Sequence, residues 1–130
     1  MVGNNKLVLV VDDSPTIRKI VEVTLRREGY RVNTCDNAMK ALASVADDPP
    51  DLVLLDVMLP VMDGYKVCKI IKNRHRDMPV VMLSSKDGFF DKARGKMAGS
   101  THYITKPFEP RDLVAVVARY TRAEQGGQLK

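Results

Sequence analysis

Five polar residues in this chain stand at the ends of short apolar runs, and their types suit one chemistry. Asp12 and Asp13 follow Leu-Val-Leu-Val-Val, and Asp56 closes Asp-Leu-Val-Leu-Leu. Ser84 closes Val-Val-Met-Leu, and Lys106 follows Tyr-Ile-Thr and precedes Pro107. If each run is a parallel strand, all five groups emerge at one edge of one sheet. Three carboxylates that close repel one another, which raises at least one pKa or requires a counter-ion. A divalent cation resolves the conflict, and Mg²⁺ takes oxygen ligands while keeping waters and room for a phosphate oxygen. No Cys or His cluster accompanies the acids, so zinc is disfavoured. A carboxylate can also attack phosphorus to give an aspartyl phosphate. Such a site needs its charge neutralised by metal and cation, with donors on the phosphoryl oxygens. Lys106 supplies a point charge and Ser84 a hydroxyl donor. A lone Asp at a strand end is ordinarily a helix cap or a turn residue, and Asp13 alone reads as the cap of a helix starting at Pro15. Five groups at matching ends outweigh that reading.

The elements that must position these groups alternate in period. Apolar runs at 7–11, 52–55 and 80–83 have strand length, and 30–34, anchored by Val32, and 102–105 read as two further short strands. Between them, apolar residues recur at helical spacing. Ile17, Ile20, Val21 and Leu25 share a face over 15–28, where Pro15 suits a first turn and Gly29 a stop. Ala38, Ala41, Leu42 and Val45 do so over 38–46, and Val67, Ile70 and Ile71 over 65–74. Helices are also expected over 88–98, weakened by Gly95, and from Pro110, where Leu113, Val116, Val117 and Tyr120 recur. Pro60 and Gly64 mark 58–64 as a loop. Continuously apolar strands indicate a sheet covered on both faces, and alternating βα units give parallel strands with right-handed crossovers. The expectation is an α/β fold, a doubly wound five-stranded parallel sheet flanked by five helices. Ligands of such sheets sit beyond the carboxyl ends of the strands.

Composition sets the bounds. At 130 residues the chain is one domain of ordinary size. The longest apolar runs, about six residues, fall far short of the roughly 20 that span a bilayer. Met-Val-Gly-Asn-Asn-Lys carries no apolar signal region, so a cytoplasmic protein without membrane insertion is expected. Cys35 and Cys68 allow a disulfide by count, but two isolated thiols in a cytoplasmic protein read as small core or surface residues. Residues 1–65 hold 7 basic and 10 acidic side chains, and residues 66–130 hold 14 and 6. The basic half suits an acidic partner surface, although a solvated face explains it equally well.

The chain resembles the receiver domain of two-component response regulators over about Lys6 to Tyr120. The match rests on Val-Val-Asp-Asp-Ser at 10–14, Leu-Leu-Asp-Val-Met-Leu-Pro-Val-Met-Asp-Gly at 54–64, Met-Leu-Ser-Ser at 82–85 and Tyr-Ile-Thr-Lys-Pro-Phe at 103–108. The resemblance implies a flavodoxin-like sheet of strand order 2-1-3-4-5, a domain over 6–122 and flexible ends at 1–5 and 123–130. It implies that Asp56 accepts a phosphoryl group from a sensor histidine kinase. Asp13 then ligates Mg²⁺ directly, Asp12 assists through water, and the Met58 backbone carbonyl is a third protein ligand. Ser84 is the switch hydroxyl, Lys106 pairs with the phosphoryl group, and Tyr103 is the aromatic that rotates with it. Pro60 and Gly64 shape the loop after the acceptor, and a cis bond is expected at Lys106–Pro107. The stretch 85–95 with Gly99-Ser100 is similar to receivers of chemotaxis-like systems for type IV pili and twitching motility. Lys92, Arg94, Lys96, Arg111 and Arg119 lie on the elements expected to carry the output face, opposite an acidic target. A monomer is expected, with phosphorylation-linked dimerisation left open.

Other functions fit less well. An aspartate-nucleophile phosphatase wants a second Asp two residues after the nucleophile, where Met58 stands. A flavodoxin-like cofactor binder needs a Ser/Thr/Gly-rich phosphate loop after the first strand, where Asp12 and Asp13 repel phosphate. After Tyr120 ten residues remain, too few for a helix-turn-helix, so no nucleic-acid partner is expected. His75, His102 and Phe89-Phe90 read as packing or surface residues.

Overall fold

A computed structural model describes residues 5–85, 96 and 98–121. Five strands, β1 (Leu7–Val11), β2 (Arg31–Cys35), β3 (Leu52–Asp56), β4 (Val80–Ser84) and β5 (His102–Thr105), form one sheet in the order β2-β1-β3-β4-β5. Every neighbouring pair is parallel. Four helices are present among the described residues: α1 (Pro15–Arg27), α2 (Ala38–Asp47), α3 (Gly64–Arg74) and α4 (Pro110–Thr121). The doubly wound sheet and its strand order are those expected. The helix expected over 88–98 lies almost entirely outside the described residues, as do both chain ends.

Side chains alternate across the sheet, so β1, β3 and β4 feed two cores at once. One core gathers Leu9, Val11, Val53, Leu55, Val80 and Met82 beneath α2 and α3. The other gathers Val8, Val10, Leu52, Leu54, Val81 and Leu83 beneath α1 and α4. Each of these leucines is essentially fully buried, worth about 2 kcal/mol of transfer free energy. The far end of the sheet is pinned by Asp51. Its Oδ2 accepts from Leu7 N–H at 2.8 Å, and its own N–H donates to Leu7 O at 2.7 Å. A buried hydroxyl pair, Tyr30 Oη to Thr121 Oγ1 at 3.2 Å, ties the start of β2 to the end of α4.

Three helices start on side-chain caps. Ser14 Oγ accepts from Ile17 N–H, Asn37 Oδ1 from Lys40 N–H and Asp63 Oδ1 from Lys66 N–H, each worth about 1 kcal/mol. The cap of α1 is therefore Ser14, and Asp13 is released from that role. Gly29, at φ 93°, carries the chain out of α1. Gly64 opens α3 instead of closing the preceding loop. Both cysteines are buried and free.

Candidate functional site

The parallel sheet delivers the expected groups to one end. Asp12 and Asp13 follow β1, Asp56 ends β3, Ser84 ends β4 and Lys106 follows β5. One carboxylate oxygen from each of Asp12, Asp13 and Asp56 lies within 4.8 Å of the others. Asp12, Asp56 and Ser84 are buried, whereas Asp13 is exposed.

Each buried acid is held by specific donors. Asp12 Oδ1 accepts from Ser14 N–H at 2.9 Å, and its Oδ2 pairs with Lys106 Nζ at 2.7 Å. Lys106 Nζ also lies 3.4 Å from Asp56 Oδ1, which accepts from Met58 N–H at 3.2 Å. Burial raises the Asp56 pKa to about 6, the Asp12 charge adds to the rise, and Lys106 and the Met58 N–H oppose it. The carboxyl is thus still mainly ionised at neutral pH, yet more basic than an ordinary aspartate.

Backbone hydrogen bonds set the positions of the remaining groups. Lys106 N–H donates to Ser84 O at 2.6 Å, coupling the ends of β4 and β5, and the Lys106–Pro107 bond is cis. Gly64 N–H donates to Val57 O at 2.8 Å, which closes the loop after Asp56. Within that loop Val61 is fully exposed and adopts φ 72°, a costly conformation for a β-branched residue. Tyr103 is half-buried on β5 and packs against the core beneath α2 and α3.

Two features have no motif in the sequence. Arg18 Nη1 donates to the Asp12 carbonyl at 2.7 Å. His102 Nδ1 meets Tyr120 Oη at 3.2 Å, with the Arg119 guanidinium 5.2 Å from the Tyr120 ring. Burial foremost, and the Arg119 charge, lower the His102 pKa. Of the basic residues expected on the output face, Lys96, Arg111 and Arg119 are exposed, with Glu109 and Asp112 nearby on the last helix and its approach. Lys92 and Arg94, and most of the 85–95 stretch, lie outside the described residues.

With its parallel sheet and an acid cluster, a buried hydroxyl and a lysine at the carboxyl edge, the chain belongs to the response regulator receiver domain family, whose pattern it matches over residues 8–118. It is 46% identical to Protein PilG of Pseudomonas aeruginosa over 112 residues, 85% of this chain and 83% of that protein. It is 41% identical to the alkaline phosphatase synthesis transcriptional regulatory protein PhoP of Bacillus subtilis, covering 93% of this chain but only 50% of PhoP. Among solved structures, chemotaxis response regulator CheY4 of Vibrio cholerae superposes with a TM-score of 0.85 at 34% identity, covering 90% of this chain and 99% of that one. Among the described residues no helix is long and apolar enough to cross a membrane.

Proposed function

We propose that the protein is a phosphorylation-dependent switch in which Asp56 accepts a phosphoryl group from a sensor histidine kinase. The observation that carries this reading is the convergence of Asp12, Asp13, Asp56 and Lys106 at the carboxyl edge of the sheet. The donor set is three carboxylates with no His or Cys, which fits a hard divalent cation such as Mg²⁺. Asp12, Asp13 and Asp56 would hold it, with the Met58 carbonyl as a further oxygen ligand. Bound there, the ion supplies positive charge against the acids and the phosphoryl oxygens.

The chain's own groups divide the remaining tasks. A carboxylate oxygen of Asp56 attacks the phosphorus of a phosphohistidine. The P–N bond breaks, its electron pair returns to the imidazole, which takes up a proton, and an acyl phosphate remains on Asp56. Even with its pKa raised by burial to about 6 in the metal-free fold, Asp56 is mainly ionised at neutral pH and so available as the nucleophile. Lys106, already between Asp12 and Asp56, offers its ammonium to the transferred group. The Ser84 hydroxyl donates to a phosphoryl oxygen, and Tyr103 turns further inward as Ser84 moves. That shifts a pre-existing equilibrium of the surface around β5 and α4, where a target protein binds. The setting we propose is a chemotaxis-like pathway, including one that serves type IV pili and twitching motility. The likeness to PilG and CheY4 and the resemblance of residues 85–95 with Gly99-Ser100 to such receivers support it.

Incubation with acetyl phosphate and Mg²⁺ followed by intact mass tests the chemistry. Wild type should gain one phosphoryl group and Asp56→Asn none. No gain in wild type, with acetyl phosphate or with a histidine kinase, would reduce the protein to a phosphate-independent adaptor of receiver shape.

A further inference from the structure

Arg18 is the fourth residue of α1, and its half-buried side chain folds back over the start of its own helix. Its Nη1 donates to the carbonyl oxygen of Asp12 at 2.7 Å. That oxygen belongs to the planar peptide joining Asp12 to Asp13, so the bond fixes the plane from which Asp13 departs. Asp12 has other anchors: its N–H donates to Cys35 O at 3.1 Å, and its carboxylate accepts from Ser14 N–H and Lys106. Asp13 has none of this kind. It is exposed, and among the described residues its carboxylate accepts no hydrogen bond. An oxygen of Asp13 nevertheless lies within 4.8 Å of oxygens of Asp12 and Asp56. Its place therefore depends on the backbone that Arg18 clamps.

Electrostatics alone makes Arg18 an unfavourable neighbour. A guanidinium one peptide away from a cation site repels the ion it is meant to receive. Geometry works in the opposite direction, because a group that orients a metal ligand commonly contributes about tenfold or more in metal affinity. We propose that Arg18 is a positioning residue for divalent-cation binding: it clamps the Asp12–Asp13 peptide so that Asp13 is preset as a ligand. The inference rests on reading the acid cluster as a cation and phosphoryl site.

The opposite signs of the two effects make the test decisive. Mn²⁺ binding to the full chain is measured by electron paramagnetic resonance, with Mg²⁺ as competitor, for wild type, R18A, R18K and D13N. A urea midpoint for each variant confirms that it is folded. Positioning predicts that R18A loses affinity for Mn²⁺ and Mg²⁺ by about tenfold, with R18K between R18A and wild type. With acetyl phosphate, R18A should need more Mg²⁺ but reach the wild-type rate at saturation. An R18A protein that binds the ions as tightly as wild type, or more tightly, overturns the proposal and leaves the cation site standing. Wild type and D13N binding equally poorly would overturn the cation site itself, and this inference with it.

Discussion

Lys106 and Asp12 form a 2.7 Å ion pair between residues 94 positions apart. The Asp12 side chain is fully buried and Lys106 is 17% exposed, so neither charge is well solvated. Replacing Lys106 with Ala leaves Asp12 buried without its cation and removes the counter-charge from Asp56. Removing one partner of such a pair costs about 3 kcal/mol. Lys106→Ala should lower the urea stability by about that much in EDTA, and Mg²⁺ should restore part of it. A loss that is equal with and without Mg²⁺ would mean that lysine and metal do not share the task of balancing these acids.

Asp56 sets a pH dependence. Its carboxyl titrates at about 6 in the fold, against an ordinary value of 3.8. Between those values the folded chain holds a proton that the unfolded chain has lost, so stability falls as pH rises through the window. Above it the metal-free fold carries a deficit of up to about 3 kcal/mol. Asp56→Asn removes the charge at nearly constant shape. In EDTA at neutral pH this variant should be more stable than wild type, and the gap should close near pH 4. A gap that widens toward acid would contradict the assignment of burial as the leading cause.

Gly64 makes a separate prediction, and its basis is space. A Cβ built there collides with the Asp56 carbonyl oxygen and stands 2.9 Å from Val57 Cα, both rigid backbone. Gly64→Ala should therefore cost about 3 kcal/mol and, on the proposed function, slow phosphorylation by acetyl phosphate, because the displaced atoms carry Asp56. Wild-type stability and rate in this variant would show that the loop after β3 yields freely.

On the proposed function, the lifetime of an acyl phosphate on Asp56 follows from what stands near it. Two residues beyond Asp56 is Met58, 57% exposed, a thioether that cannot orient a water toward phosphorus. Lys86, two residues beyond Ser84, lies outside the described residues but is likewise neither carboxylate nor amide. Phosphorylated protein with Mg²⁺ should outlast seconds, and Met58→Glu should shorten its half-life by about tenfold or more. Decay within seconds in the unmutated protein would refute this.

What the sequence made legible was mainly what lies along a strand axis. A polar residue at the end of an apolar run has its edge of the sheet decided once the strands are parallel, so the common edge of Asp12, Asp56, Ser84 and Lys106 follows from sequence without any distance. Groups defined by a side chain reaching back to backbone were not. Ser14 and Asp13 are both good caps, and only the folded turn chooses Ser14. Arg18 binds a carbonyl six residues away, a contact with no spacing rule of its own. His102 reads from the sequence as a packing or surface residue because its partner, Tyr120, belongs to a different element. Gly64 reads from the sequence as loop-forming, yet its backbone already belongs to α3.

The strand order carries a mechanical consequence. β1 and β3, which present the three acids, are hydrogen-bonded on both sides, whereas β5, which leads into Lys106 and bears Tyr103, is bonded within the sheet on one side alone. Stiffness therefore grades across the molecule, from a clamped middle to a compliant margin, because strands with fewer ladder bonds open at lower free energy. The anionic end of the crevice is the anvil, and its cationic end is mounted on the spring.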